Sequence, residues 1–150
     1  MIIRSAEIND ADKISSLIQQ LTTKYIIKDC TKEGADILLN SMRAEIIESQ
    51  LLAGDDYYLA EESQQLVGVI GIKSNQHLFH LFVEQTLHHQ GIAGLLWNKV
   101  ISQKQYQNCS ITVNSSLNAL GFYQKLGFVA VSSMQVKRGI PSIPMKIIIN

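Results

Sequence analysis

The N-terminal part of the chain combines a short apolar opening with a helical pattern. Residues 2–6 predict a strand, and Asn9 or Asp10 then stands where a helix N-cap belongs. Apolar residues follow at the three- and four-residue spacing of an amphipathic helix of about four turns, which are Ile14, Leu17, Ile18, Leu21 and Tyr25. Thr31 is a second candidate N-cap, and residues 33–52 favour helix with a break near residues 40–42.

The middle of the chain changes from helical spacing to short strands. Three apolar segments separated by polar turns predict strands at residues 57–61, 66–72 and 78–83. Because consecutive strands joined by tight turns pair with one another, these segments predict an antiparallel meander.

The C-terminal part alternates between helices and strands. The pattern predicts a helix from Gly91 to about Tyr106, a strand over residues 109–113, a helix over residues 117–126, and strands over residues 128–137 and 142–149. Ser116 is a candidate cap for the second of these helices, and Gly127 stands at its C-terminal end. A run of strands followed by a strand–helix–strand unit indicates a mixed α/β sheet.

Composition limits the classes of protein to which the chain can belong. With 150 residues, 46% of them hydrophobic, and no linker or repeat, residues 1–150 predict a single domain. The formal net charge is zero, so we expect neither a nucleic acid nor a membrane as a partner. The N-terminus lacks the apolar core of a signal peptide, which predicts a cytoplasmic protein. Cys30 and Cys109 are too few for a cysteine zinc site, and we expect no metal.

A glycine-rich segment opens the helix that follows the third meander strand. It comprises His88, His89, Gln90, Gly91, Ile92, Ala93 and Gly94. Its small residues let a ligand approach the backbone, and a helix N-terminus offers unpaired N–H groups and a partial positive charge. The segment therefore predicts a phosphate or pyrophosphate site, with a glycine that merely begins a helix as the alternative. Neither the P-loop pattern nor the Rossmann pattern is present.

Two motifs, one in this glycine-rich segment and one at residues 122–128, resemble those of the GNAT superfamily of N-acetyltransferases. In that family the helix after the fourth strand begins with Arg or Gln, two residues, Gly, one residue, and Gly or Ala. Residues 88–93 match this pattern except that His88 stands at its first position. The family's later signature is an aromatic–Tyr pair followed by Leu-Gly-Phe, which here is Phe122, Tyr123 and residues 126–128. The resemblance is specific from about residue 66 onward and weak over residues 1–60, and the closing segment 140–147 also resembles the family.

The resemblance implies an α/β (α+β) fold and a cofactor. The fold would be a mixed, mostly antiparallel sheet of about seven strands flanked by about four helices, with splayed fourth and fifth strands. Acetyl-CoA would bind between those strands as cosubstrate, with no metal. The implied cofactor-binding residues are Leu81, Phe82 and Val83 for the pantetheine arm, residues 88–94 for the pyrophosphate, Asn114 and Asn118 for the pantetheine amides, and Phe122 beside them. Turn or cap roles are the alternative for the two asparagines.

The resemblance also implies the catalytic residues. Tyr123 would act as the general acid that protonates the leaving CoA thiolate, and core packing is the alternative role for a tyrosine on an amphipathic helix. A base is needed because an amine is mostly protonated at neutral pH. The candidates are His77, His80, Glu61, Glu62 and Glu84. We name His80, and deprotonation through a chain of water molecules is the alternative.

The expected function is transfer of an acetyl group to a primary amine by direct attack in a ternary complex. The acceptor would be a small-molecule or peptide amine, which the sequence does not identify, and the resemblance is compatible with a homodimer. A catalytically silent CoA-binding sensor or interaction module of the same fold is the alternative. A structural partner protein is a third and weaker interpretation.

Overall fold

The computed structural model describes residues 1–87 and 90–150, which contain eight strands and five α-helices. The strands are β1 (Ile2–Ser5), β2 (Asp56–Glu62), β3 (Gln65–Ile72), β4 (His77–Val83), β5 (Ser110–Ser115), β6 (Val129–Ala130), β7 (Gln135–Lys137) and β8 (Ile140–Ile148). The helices are α1 (Ala11–Tyr25), α2 (Lys32–Asn40), α3 (Ala44–Leu52), α4 (Ile92–Ile101) and α5 (Leu120–Leu126).

All strands belong to one sheet with the order β1-β2-β3-β4-β5-β8-β6, in which β7 also pairs with β8. Every pairing is antiparallel except that of β4 with β5, which is parallel. That parallel pairing covers two residue pairs, His77 with Thr112 and Leu78 with Val113. The two strands then separate, so the expectation of a mixed, mostly antiparallel sheet with splayed fourth and fifth strands is confirmed.

A β-bulge lies on β4 just beyond these two pairs. Gly71 on β3 is opposite His80, whereas the next residue, Ile72, is opposite Leu78, so Phe79 is an extra residue on β4. A bulge bends its strand and increases the local twist. The bulge therefore stands at the point where β4 turns away from β5.

Helices cover both faces of the sheet, and each face has its own hydrophobic core. One core packs residues of α4 and α5 against the sheet, and its buried members include Leu96, Trp97 and Phe128. The other packs α1 and α3 against the opposite face, with Ile14 and Ile47 fully buried. Because side chains of a strand alternate between faces, β4 contributes to both cores.

Most of the predicted elements are present, and several boundaries differ. The break between α2 and α3 and the Thr31 cap are confirmed, since Thr31 Oγ1 accepts a hydrogen bond from Gly34 N at 3.1 Å. The helix expected to reach Tyr106 ends at Ile101, and a separate 3₁₀ turn leads to Tyr106, whose hydroxyl donates to Asp56. The side chain of Tyr106 is thus bound at the start of β2.

The strand expected over residues 128–137 is two strands, β6 and β7. Each pairs with a different part of β8: Val129 and Ala130 lie opposite residues 145–146, and β7 lies opposite residues 140–142. The intervening serines form a bend. The helix expected over residues 117–126 begins as a 3₁₀ turn at residues 117–119 and becomes α-helical at Leu120.

The turn between β7 and β8 packs against the start of α2 with no room for a side chain. Thr31 N donates to Gly139 O at 3.0 Å. A Cβ atom placed on Gly34 would lie 2.4 Å from Gly139 O, which is a backbone atom and cannot rotate away. This contact joins the C-terminal hairpin to the helical layer that contains α1 and α2.

We predict that Gly34→Ala lowers the free energy of unfolding by about 1–3 kcal/mol, because the added methyl group forces the two backbones apart. Gly121→Ala is the matched control, since a Cβ on Gly121 in α5 meets nothing within 4 Å. Alanine favours helix over glycine by up to about 1 kcal/mol, so the control should be neutral or stabilising. Urea unfolding of both variants measures the difference, and equal midpoints would contradict the close contact.

Candidate active site

A cavity of about 580 Å³ opens where β4 and β5 separate. It is bounded by the end of α1, the second half of β4, the start of α4, and the segment that joins β5 to α5. The described residues that line it are Leu21, Tyr25, Ile26, Leu81, Phe82, Val83, Leu87, Gly91, Ile92, Ala93, Gly94, Ser116, Asn118, Ala119, Phe122 and Tyr123. We call this cavity the cleft.

The cleft is bounded by residues from both layers of the molecule. Leu81 and Val83 pack with the core of α4 and α5, whereas Phe82 packs with the core of α1. Leu21 and Tyr25 of α1 line the cleft from the same side as Phe82. The cleft therefore lies between the two layers of the molecule.

The N-terminus of α4 forms one end of the cleft. Gly91 is the N-cap with φ of +78°, a conformation that side chains with a Cβ disfavour, and its carbonyl accepts from Leu95 N at 3.0 Å. The N–H groups of residues 92–94 come before Leu95 N, the first donor within the helix, and have no partner in the helix. The first turn contains no acidic residue, and a Cβ on Gly94 would meet nothing within 4 Å. The helix end is thus open to a phosphate.

The residues predicted to hold the pyrophosphate are only partly brought to this site. Gly91, Ile92, Ala93 and Gly94 line the cleft. His88 and His89 lie outside the described residues. Gln90 is exposed and does not line the cleft, because the chain turns at Gly91 to begin the helix.

Tyr123 reaches the cleft from α5 with its side chain largely enclosed. It is 7% exposed, and its ring makes edge-to-face contacts with Phe122 and Phe128, each at a centroid distance of 5.4 Å. Burial raises the pKa of the Tyr123 phenol well above its ordinary value. The phenol is therefore protonated at neutral pH, as a proton donor must be.

The two predicted asparagines are placed differently. Asn118 lines the cleft, and its Oδ1 accepts from Ser116 Oγ at 2.7 Å. Asn114 is exposed and does not line the cleft, because side chains along β5 alternate and its neighbours Val113 and Ser115 are the buried ones. The structure thus brings only Asn118 to the cleft, and contact of Asn114 with the pantetheine arm stays a prediction.

His80 lies in an aromatic cluster and not in the cleft. It is 5% exposed, with ring centroids of Phe79, Phe82 and Tyr57 at 4.3, 6.0 and 6.2 Å. Neither ring nitrogen has a hydrogen-bond partner. Burial, with a smaller effect of the positive charge on Lys73, lowers the pKa of His80 to about 3. This placement argues against His80 as the general base, because the ring is a weak base and does not reach the cleft.

The other candidate bases also lie elsewhere. His77 Nδ1 is 2.8 Å from Thr112 Oγ1, and burial lowers the pKa of this imidazole. Glu61 is bound by the guanidinium of Arg4. The described lining of the cleft includes none of His77, Glu61, Glu62 and Glu84.

Sequence reasoning missed the contribution of Leu21 and of the segment before α5. Leu21 and Tyr25 have the helical spacing of core residues, and nothing in that spacing distinguishes a side chain that lines a cavity from one that fills a core. Ile26 follows them at the end of the helix. Ser116 and Ala119 reach the cleft because the 3₁₀ turn at residues 117–119 carries the chain past it.

In the part of the chain that the structure describes, no group of His, Cys, Asp and Glu could hold a metal ion. None of the described helices is both long enough and apolar enough to span a bilayer.

A family model and curated proteins both match this chain. A family model described as an acetyltransferase (GNAT) domain matches residues 26–149. The chain is 33% identical to human N-acetyltransferase 8B in an alignment of 118 residues that covers 69% of this chain and 52% of that protein. The chain thus spans about half the length of the curated relatives it matches.

Solved structures share the fold over nearly the whole chain. The PaiA N-acetyltransferase from Thermoplasma acidophilum in complex with coenzyme A has a TM-score of 0.74 at 18% identity, covering 97% of this chain and 96% of that one. An aminoglycoside 6'-N-acetyltransferase complexed with coenzyme A has a TM-score of 0.71 at 19% identity, covering 100% and 98%. At these identities the similarity establishes the fold.

The burial of His80 predicts a specific sensitivity to acid. Its pKa is about 3 in the folded chain and about 6.5 in the unfolded chain, so below pH 6.5 only the unfolded chain takes up a proton there. The buried neutral imidazole therefore causes no loss of stability above pH 6.5. As the pH falls from 6.5 toward 3, the free energy of unfolding decreases by about 1.4 kcal/mol per pH unit. His80→Leu should flatten the dependence of the free energy of unfolding on pH by that slope.

Phe79→Leu is the control, because it alters the same aromatic cluster without removing a titratable group. Urea unfolding between about pH 6 and pH 4 gives the slopes. The Phe79 variant should keep the slope of the native chain, and an unchanged slope in the His80 variant would contradict the burial of a neutral imidazole.

Proposed function

The chain belongs to the GNAT acetyltransferase family, and from this premise we propose that it transfers the acetyl group of acetyl-CoA to a primary amine by direct attack. The observation that carries the proposal is the cleft between β4 and β5. It has a helix N-terminus at one end, a protonated phenol on its wall, and sides that belong to both faces of the sheet.

The diphosphate of the cofactor would bind at the start of α4. The N–H groups of residues 92–94 would donate to its oxygens, and the partial positive charge of the helix end would favour its negative charge. No carboxylate in the first turn competes for these donors. Gly91 and Gly94 leave the backbone accessible from the cleft.

The pantetheine arm would lie along β4 in the place that β5 vacates. Glu84 N donates to Val67 O of β3 at 2.8 Å. Because alternate residues of an antiparallel strand turn their N–H groups toward the same edge, the N–H of Phe82 also turns to β3 and that of Leu81 turns to the gap. The arm would then pair with β4 as an added strand, and Asn118 would bind one of its amides.

The reaction would form one bond and break one. The amine nitrogen attacks the thioester carbonyl carbon, and the N–H of Leu81 donates to the developing oxyanion. The tetrahedral intermediate collapses with cleavage of the carbon–sulfur bond, and Tyr123 gives its proton to the thiolate. The proton released by the amine returns to the phenolate through solvent.

Burial of Tyr123 is compatible with this proton transfer. A phenol ordinarily has a pKa of about 10 and a thiol about 8.5, so transfer would be unfavourable in water. Desolvation raises the pKa of the thiolate formed in the same cleft as well, because it disfavours any anion there. Because burial acts on both groups in the same direction, the raised pKa of Tyr123 does not by itself oppose the transfer.

The amine would lose its proton to water and not to a side chain. His80 does not reach the cleft, and the described lining contains no carboxylate or imidazole.

A catalytically silent CoA-binding module would share every feature described so far except turnover. Release of free thiol from acetyl-CoA in the presence of an amine distinguishes the two.

We predict that Gly94→Glu weakens CoA binding without unfolding the protein. A Cβ on Gly94 meets nothing within 4 Å, and a carboxylate in the first turn stabilises a helix while repelling the diphosphate. Gly94→Gln is the control of the same size without the charge. Calorimetric titration should give a dissociation constant about tenfold higher for Glu than for Gln, which corresponds to about 1.4 kcal/mol. Equal constants would exclude a diphosphate at this helix end.

We predict that Tyr123→Phe lowers kcat by about 100-fold or more while CoA affinity is retained, because the variant loses only the proton donor. Tyr58→Phe is the control, since it removes the same hydroxyl from a tyrosine that does not line the cleft. Steady-state thiol release and the melting temperature are measured for both. Undiminished turnover of the Tyr123 variant would remove this residue from the mechanism.

A further inference from the structure

We infer that the acceptor is a primary amine attached to an apolar, uncharged body, and that the cleft disfavours acceptors with a second ammonium group. The inference rests on the proposed function, because it concerns the substrate of that same cleft. It follows from the chemical character of the cleft's lining on the side opposite α4 and α5.

The side of the cleft formed by α1 is apolar. Leu21, Tyr25 and Ile26 line it from the end of α1, and Phe82 lines it from β4. We call these four residues the acceptor wall. Leu21 is 4% exposed and packs in the core of α1, with Tyr25 and Phe82 against that core. The cofactor would occupy the side of α4 and α5, so the acceptor would approach along this wall.

The described lining of the whole cleft carries no charged side chain. Its polar side chains are those of Ser116 and Asn118 and the hydroxyls of Tyr25 and Tyr123. An ammonium group buried there would have no carboxylate as a partner, and an unpaired buried charge is strongly unfavourable. The same desolvation favours the neutral form of the reacting amine, which is the nucleophilic form.

The side chain of Lys24, which is a cation, lies beside the acceptor wall. Lys24 Nζ lies 5.6 Å from the centroid of the Tyr25 ring and donates to Gln85 Oε1 at 2.8 Å. It therefore bridges the end of α1 and the segment after β4. A second ammonium on the acceptor would meet this positive charge, whereas an apolar chain would contact the wall.

The test compares two acceptors that differ in one charge. Hexylamine and 1,6-diaminohexane have the same carbon chain, and the diamine ends in a second ammonium group. We expect kcat/KM per amino group to be at least about tenfold higher for hexylamine, because only the diamine buries an unpaired charge. Binding of each amine to the CoA-loaded protein is measured in parallel by saturation-transfer NMR, and should show the same order.

A substitution in the acceptor wall should reverse the preference. Ile26 is half-buried at the end of α1, so a longer polar side chain can be accommodated there. Ile26→Glu supplies the missing carboxylate and should raise the ratio of diamine to hexylamine turnover by about tenfold. Ile26→Gln has the same size without the charge and should leave the ratio near that of the native chain.

The outcomes separate this inference from the proposed function. Binding of acetyl-CoA with preference for the diamine, or with binding of neither amine, overturns the apolar acceptor and leaves the cofactor site standing. A ratio that is the same for the Ile26→Glu and Ile26→Gln variants also overturns it. Failure of acetyl-CoA itself to bind overturns the proposed function, and the inference with it.

Discussion

The separation of β4 from β5 after two residue pairs is the constraint on which the candidate site depends. A continuous pairing would satisfy the backbone of β4 and close the sheet. Their divergence instead opens the cleft between the two layers and leaves one edge of β4 facing it. The bulge at Phe79 lies where the two strands separate, so the bend in β4 and the opening of the cleft occur at the same place in the sheet.

Desolvation gives the buried ionisable groups near the cleft a common character. It raises the pKa of the Tyr123 phenol and lowers that of the His80 imidazole, so both are neutral at physiological pH. A neutral phenol can donate a proton, whereas a neutral imidazole without access to the cleft cannot receive one from a substrate. The described lining of the cleft carries no charged side chain, so it has the same uncharged character as these two buried groups.

Local sequence was a sufficient guide wherever local interactions decide structure. The Thr31 cap, the break between α2 and α3, the meander of β2, β3 and β4, and the glycine at the start of α4 were all predictable from spacing and residue type. The boundaries of elements that depend on contacts with distant residues were less predictable. The helix after Gly91 ends at Ile101, before the turn that brings Tyr106 to Asp56. Residues 128–137 form two strands because β8 pairs with them in two places.

The order of elements, the glycine that begins α4 and the tyrosine that lines the cleft could be read from the amino-acid sequence alone, because capping, periodicity and short motifs act within a few residues. Which polar side chains reach the cleft depends on how the folded chain packs. Asn118 does and Asn114 does not, and His80 is enclosed by the rings of Phe79 and Phe82 on its own strand and of Tyr57 on β2. The bulge on β4 and the packing of α1 against the sheet depend on contacts between residues far apart in the chain.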